Sequence, residues 1–150
     1  MKINHPLSVD TWDNKEFAAI NRVLKTKYLT QGKNVKIFEK KFSKYLGTKY
    51  SVMVNSGSSA NLLMIGSLFF TKDKKKRIKK GDEVIVPALG WSTSYFPLQQ
   101  YGLKLKFVDV DLLTLNFNIS ELSKAINKKT RLILSINVCG NSNEFDKILK

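Results

Sequence analysis

Cysteine is nearly absent from this chain, and acidic residues are scarce beside basic ones. The only cysteine among the 150 residues is Cys139, which excludes an intrachain disulfide and disfavours a metal site built on cysteine. No apolar run approaches the roughly 20 residues of a membrane-spanning helix, and residues 1–6 lack the apolar core of a secretory signal. We therefore expect a cytoplasmic protein with no metal site and no membrane partner.

Positive charge is the unusual feature of the composition. Lys and Arg number 26 against 12 Asp and Glu, which gives a formal net charge of +14, and the densest basic cluster lies at 72–80. Such a charge raises the question of nucleic-acid binding. Few aromatic residues interleave with the cluster, however, and no helix-turn-helix or zinc spacing is visible. We interpret the cluster as a solvated loop and expect no nucleic-acid partner, although a positive field would also favour an anionic small molecule.

The hydrophobic pattern predicts an α/β domain. Two helices come first: one over 13–26, where Asp13 and Glu16 form a capping box, and one over 34–46, which ends at Gly47. Strands and helices then alternate, which is typical of a mainly parallel sheet with helices on both faces. The predicted strands are 50–54, 83–86, 105–109 and 131–138, and the predicted helices are 59–70, one from near Ser92, 120–126 with Ser120 as its cap, and one that opens at 144–150.

The most informative segment joins the first predicted strand to the helix after it, and reads Asn55-Ser56-Gly57-Ser58-Ser59-Ala60-Asn61. The first turn of a helix has N–H groups without intrahelical acceptors, and the helix dipole adds partial positive charge there. Gly57 allows a ligand to approach the backbone closely, and the serines add hydroxyl donors. The segment is therefore suited to binding phosphate. An ordinary N-cap, for which serine is also favoured, is the alternative.

The residues that follow the predicted strands form an ordered series of motifs. Ligands of parallel α/β sheets bind beyond the carboxyl ends of the strands, where most of these motifs lie. In chain order the motifs are 28–32, 35–39, 56–62, 81–87, 91–93, 107–111 and 137–141. Together they resemble the DegT/StrS family of enzymes, which use pyridoxal 5′-phosphate (PLP) to act on nucleotide-linked keto sugars. The resemblance covers nearly the whole chain and implies the N-terminal portion, residues 1–150, of the large domain of a fold type I PLP-dependent transferase.

The resemblance also implies roles for particular residues. Gly57 and Ser58 match the positions that hold the cofactor phosphate in the family, and Ser59 lies beside them. Trp91 matches the aromatic residue that stacks on the pyridine ring of the cofactor, whereas from its sequence context alone packing in the core is the alternative. Asn61 and Thr93 are expected neighbours of this site, although the family assigns them less clearly.

Two branches of the family compete. Most members are aminotransferases, in which a lysine forms a Schiff base with PLP. A minority are 3-dehydratases of 4-keto-6-deoxyhexoses, which use pyridoxamine 5′-phosphate (PMP) and have histidine in place of that lysine. Segments 56–63, 91–102 and 140–146 resemble the dehydratases more closely, although Ser142 replaces the usual proline. The resemblance implies a nucleotide-linked keto sugar as substrate, glutamate as amino donor, a role in lipopolysaccharide O-antigen biosynthesis, and a homodimer in the full-length family.

Family members are more than twice as long as this chain. The catalytic Lys or His and the acidic partner of the pyridine nitrogen match positions beyond residue 150, so we expect no catalytic residue and no independent turnover within the chain. The chain stops inside a predicted helix, as a truncated or split gene product would. His5 is expected at the surface or on the substrate side, without a catalytic role. In the family's fold, 50–54 would stand apart from the other three strands.

Overall fold

Local capping signals determine where the first helix begins. The computed structural model describes residues 8–149, which fall into two units that divide between Met53 and Val54. In the first unit, helix α1 spans Asn14–Thr26. The carboxylate of Asp13 accepts the N–H of Lys15 at 2.6 Å, and the N–H of Asp13 donates to Glu16 Oε2 at 2.8 Å. These bonds confirm the predicted capping box.

Helix α2, Lys33–Leu46, ends where glycine permits a left-handed turn, because Gly47 has φ of 67°. The strand predicted after it, at 50–54, is wrong. This segment pairs with no strand among the described residues. Because a backbone N–H needs an acceptor, Met53 instead donates its N–H to Glu39 Oε1 of α2 at 2.9 Å.

The second unit contains a parallel three-stranded sheet with the order β2-β1-β3. Its elements in chain order are α3 Gly57–Phe70, β1 Glu83–Pro87, α4 Ser92–Gln100, β2 Lys104–Val108, α5 Ile119–Ala125, β3 Thr130–Ile133, a 3₁₀ turn Val138–Gly140 and α6 Phe145–Ile148. The sheet confirms the α/β class and the three-strand group. Among the described residues, segment 50–54 forms no ladder with β3.

Helix α3 begins two residues earlier than predicted and β2 lies one residue earlier, and two further predicted boundaries are wrong. Strand β3 ends at Ile133 rather than 138: the N–H of Leu134 makes the last bond to β1, and further along the carbonyl of Ile136 accepts the side-chain amide of Asn143. Helix α5 has Asn118 rather than Ser120 as its N-cap, because Asn118 Oδ1 accepts the N–H of Glu121 at 3.2 Å.

The core of the second unit lies on both faces of the sheet. Side chains alternate along β1, so that Val84 and Val86 face one side while Ile85 faces the other, and all three are fully buried. On the first side they pack with α3 and α4, through Ile65 and Leu98. On the second side Ile85 packs in a cluster that includes residues of α5. Coverage of both faces is typical of parallel sheets.

Helix α3 is apolar on its outer face as well as its inner one. Leu63, Met64 and Phe70 remain 53%, 46% and 79% exposed in the structure. With 14 residues the helix is shorter than a bilayer core requires. Within residues 8–149, no helix combines the length and apolar character that crossing a membrane demands. The outer face of α3 is therefore an uncovered apolar surface.

Candidate cofactor-binding site

The carboxyl ends of the three parallel strands place three loops at one edge of the sheet. These loops are 88–91 after β1, 109–118 after β2 and 134–144 after β3. The N–H of Ala88 donates to the carbonyl of Val108 at 2.8 Å, which joins the first two loops at their base. Of the motifs identified in the sequence, 137–141 lies on these loops, and 91–93 and 107–111 overlap them.

The first turn of α3 offers free backbone donors. Ser56 caps the helix, since its hydroxyl accepts the N–H of Ser59 at 3.2 Å. The N–H groups of Gly57 and Ser58 have no acceptor among residues 8–149. A Cβ placed on Gly57 would meet no atom within 4 Å, so the space beside it is open. This geometry fits a phosphate group. The N–H of Ser59 is used by the cap, and its hydroxyl oxygen accepts the Ser56 hydroxyl at 3.2 Å, so the hydroxyl hydrogen of Ser59 is left to donate to a ligand.

Helices α3 and α4 run side by side in the same direction. Near their first turns, Asn61 Nδ2 donates to the carbonyl of Thr93 at 3.2 Å, so the two predicted neighbours are in direct contact. Near their ends, Phe69 stacks on Tyr101 with ring centroids 4.7 Å apart. The free amides at the start of α3 therefore lie at the same edge as the start of α4.

Trp91, the residue before α4, projects from the protein surface. Its side chain is 79% exposed, so packing in the core of this chain is not its role. The backbone before it is held in place: a Cβ on Gly90 would lie 2.2 Å from the hydroxyl of Tyr95. That hydroxyl donates to the carbonyl of Pro87 at 2.7 Å, and burial raises the pKa of Tyr95, which keeps it a neutral donor. The loop thus presents a large flat ring at a defined position.

A buried asparagine joins the other two loops. Asn143, which is 5% exposed, donates through Nδ2 to the carbonyl of Ile136 at 3.0 Å and accepts the N–H of Phe117 at 3.4 Å. Asn116 Nδ2 donates to the carbonyl of Ser142 at 2.9 Å. Loops 109–118 and 134–144 are therefore cross-linked by polar side chains instead of by strand pairing.

Asp111 stabilises loop 109–118 by hydrogen bonds to the backbone of the same loop. Its carboxylate accepts the N–H groups of Thr114 and Leu113 at 2.9 and 3.0 Å. These hydrogen bonds, led by that of Thr114, lower the pKa of Asp111 below its ordinary value because they stabilise the charged form. This carboxylate is thus committed to the backbone of its own loop.

Sequence reasoning missed the structural roles of Asn116, Asn143 and Gly90. Each role depends on a partner that is distant in the sequence, and no local pattern announces it. Among residues 8–149, no three His, Cys, Asp or Glu side chains come together as metal ligands would. His5 lies outside the described residues.

The hydrogen bonds of Asn143 should contribute measurably to the free energy of unfolding. We expect Asn143→Ala to destabilise the chain by about 2–4 kcal/mol, because it leaves buried backbone groups at Ile136 and Phe117 without partners. The matched control is Asn141→Ala, which removes one hydrogen bond at an exposed position and should cost roughly 1 kcal/mol or less. Urea unfolding measures both values. Equal losses in the two variants would contradict the role given to Asn143.

The fold and this edge define a class of protein: a parallel α/β unit in which a helix start with free N–H groups and an exposed tryptophan lie at the same edge of the sheet. Residues 10–150 match the DegT/DnrJ/EryC1/StrS aminotransferase family, and the chain belongs to this family. The resemblance seen in the sequence motifs is thereby confirmed.

Two relatives indicate which members of the family this chain resembles. The chain is 57% identical over 148 residues to GDP-4-keto-6-deoxy-D-mannose 3-dehydratase of Yersinia pseudotuberculosis, which covers 99% of this chain and 37% of the relative. A solved GDP-4-keto-6-deoxymannose-3-dehydratase with a trapped PLP-glutamate adduct is 55% identical, with a TM-score of 0.91 over 97% of this chain and 37% of that chain. This chain therefore spans little more than a third of the length of these relatives.

An aminotransferase-like relative has the same fold at lower identity. The putative sugar aminotransferase Spr1654 from Streptococcus pneumoniae, solved in its PMP form, has a TM-score of 0.85 and is 26% identical. The match covers 98% of this chain and 35% of that chain. Both relatives thus have a fold similar to that of this chain, whereas the sequence identity is 55% with the dehydratase and 26% with the aminotransferase-like relative.

Proposed function

We propose that this chain is the N-terminal portion of the large domain of a PLP- or PMP-dependent 3-dehydratase that acts on a nucleotide-linked 4-keto-6-deoxy sugar. The observation that carries the proposal is the identity of 57% with a dehydratase against 26% with an aminotransferase-like relative of the same fold. The alternative is a nucleotide-sugar aminotransferase of the same family. The product belongs to deoxysugar and O-antigen biosynthesis in either case.

The residues at the edge of the sheet fit the cofactor. The N–H groups of Gly57 and Ser58 and the hydroxyl of Ser59 would hold its phosphate, and the exposed ring of Trp91 would stack on its pyridine ring. When bound, the cofactor supplies an electron sink that stabilises negative charge on the adjacent carbon of the substrate. The contribution of these residues is to bind and orient that group.

The partners follow from the same proposal. A GDP-linked keto sugar is the substrate, and glutamate is the amino donor; the relative with a trapped PLP-glutamate adduct supports the second assignment. We further propose that the whole protein is a cytoplasmic homodimer, and that its catalytic Lys or His and the acidic partner of the pyridine nitrogen lie outside residues 1–150.

A chimera tests the proposed reaction. Residues 1–150 replace the matching segment of the Yersinia pseudotuberculosis dehydratase, and the product from GDP-4-keto-6-deoxymannose and glutamate is identified by mass spectrometry. We expect loss of the 3-hydroxyl group without formation of a stable amino sugar. An amino sugar as the main product would favour the aminotransferase alternative. A folded chimera that binds PMP but gives neither product would contradict both assignments.

The phosphate site is tested in the same chimera by side-chain size at Gly57. We expect Gly57→Val to weaken PMP binding at least tenfold. The valine side chain fills the open space beside the backbone, so the phosphate can no longer approach the N–H groups and loses a charge-assisted hydrogen bond. Gly57→Ala should have an intermediate effect. Ser67→Val, at an exposed position of the same helix, is the control and should leave affinity unchanged. Fluorescence titration measures affinity, and equal affinities in all variants would exclude phosphate binding there.

A further inference from the structure

Basic side chains gather at the edge of the sheet opposite the candidate cofactor site. They line a depression of about 620 Å³ where the three parallel strands begin, at Glu83, Lys104 and Thr130. We call this depression the basic basin, and its cations are Arg77, Lys79, Lys104, Lys128, Lys129 and Arg131, with Lys74 beside them. Because the strands are parallel, the basin is separated from the cofactor edge by the length of the sheet.

The two carboxylates in the basin, Asp82 and Glu83, offset only part of its positive charge. Asp82 Oδ2 accepts the backbone N–H of Lys79 at 2.9 Å. Glu83 Oε1 accepts the side chains of Asn127 and Thr130 at 2.7 and 3.0 Å, and these bonds lower the pKa of Glu83. None of the salt bridges within residues 8–149 includes a basic residue of the basin. With seven cations against two carboxylates, the basin keeps an excess of positive charge.

Hydrogen bonds order both side chains and backbone around the basin. The guanidinium of Arg77 donates twice to the carbonyl of Thr71, at 2.9 and 2.6 Å. The N–H of Lys104 donates to the carbonyl of Asp82 at 2.9 Å, which joins two of the loops. Arg131 is the extra residue at which the register between β1 and β3 shifts. A ligand would thus meet charges on an ordered scaffold, which reduces the entropy that binding costs.

We propose that the basic basin binds a compact polyanion with two or more adjacent phosphate groups. Its volume falls in the range of small-ligand sites, roughly 300–1,000 Å³. Arginine forks and lysine ammonium groups are the side chains that bind phosphate oxygens. The lining contains no aromatic residue on which bases could stack, and this disfavours single-stranded nucleic acid. The proposal is independent of the cofactor site and of the proposed reaction.

Calorimetric titration of the chimera, in which residues 1–150 replace the matching segment of the Yersinia pseudotuberculosis dehydratase, with inorganic tripolyphosphate tests the basin. We expect binding that weakens as salt is raised, and that falls at least tenfold in Lys128→Gln/Lys129→Gln and in Lys104→Gln/Arg131→Gln, since each loses two charged contacts. All four residues are exposed, so the fold should tolerate both variants. The control, Lys15→Gln/Lys25→Gln on α1, removes the same charge elsewhere and should bind as the unaltered chain does.

Two further probes distinguish the sources of the anion. ATP that binds more tightly than tripolyphosphate would identify a nucleotide as the ligand, and equal or weaker ATP binding would identify a free polyphosphate; either supports the site. Affinity that falls equally in control and basin variants, or no binding of either probe, would overturn the proposal. A single-stranded oligonucleotide that binds more tightly than tripolyphosphate and requires the basin lysines would also overturn it, in favour of a nucleic-acid interface.

Discussion

Purified residues 1–150, supplied with PLP or PMP, glutamate and GDP-4-keto-6-deoxymannose, will form no detectable product. The loops at the candidate cofactor edge, 88–91, 109–118 and 134–144, contain neither lysine nor histidine. The carboxylate of Asp111 is occupied by backbone N–H groups of its own loop. General acid–base catalysis by a positioned side chain contributes about 10²–10⁴-fold, and these loops hold no lysine or histidine to supply it.

The assay needs a positive control and a sensitive readout. The Yersinia pseudotuberculosis dehydratase, at the same concentration and with the same reagents, shows that the substrate and cofactor are competent. Mass spectrometry of the nucleotide sugar detects both loss of a hydroxyl group and gain of an amine. Product that scales with the concentration of this chain and disappears in Gly57→Val would show that the chain carries a complete catalytic site.

The isolated chain should also aggregate or bind hydrophobic dye strongly. The outer face of α3 leaves Leu63 and Met64 about half exposed, and strands β2 and β3 each have one edge without a partner among the described residues. Exposed apolar surface and unpaired strand edges both promote association. We expect Leu63→Gln/Met64→Gln to raise the soluble yield while changing the free energy of unfolding by roughly 0.5 kcal/mol or less, because both side chains face solvent.

A buried position provides the matched control. Leu98 is fully buried between α4 and the sheet, so Leu98→Gln should cost about 3–5 kcal/mol and lower the soluble yield. Soluble yield, light scattering and dye fluorescence compare the variants. An unaltered chain that is monomeric, unfolds cooperatively and binds no dye would contradict the prediction, since its apolar surface would then need no partner.

Predictions based on neighbouring residues succeeded more often than those that depend on distant ones. The capping box at Asp13 and the helix end at Gly47 involve residues within a few positions, and both are confirmed. The strand at 50–54 was wrong although its composition suits a strand. A strand exists only if another segment accepts its hydrogen bonds, and none of the described residues does so.

The candidate site also combines features that the sequence predicted with features that depend on distant residues. The free amides at Gly57 and Ser58 follow from a serine cap and the helix that it opens, both of which are read along the sequence. The contact between Asn61 and Thr93 and the position of Gly90 against Tyr95 required the packing of α3 and α4. Their importance could not be inferred from either helix alone.

The sequence by itself determined the α/β class, the helix start that is suited to phosphate and the family to which the chain belongs, because these depend on periodicity, capping and ordered motifs. Only the tertiary structure decided that Trp91 is exposed, that Asn143 joins two strand-end loops and that dispersed lysines and arginines converge in the basic basin. Those properties arise when parallel strands bring the ends of distant segments to a common edge, and the spacing of residues along the chain does not record that convergence.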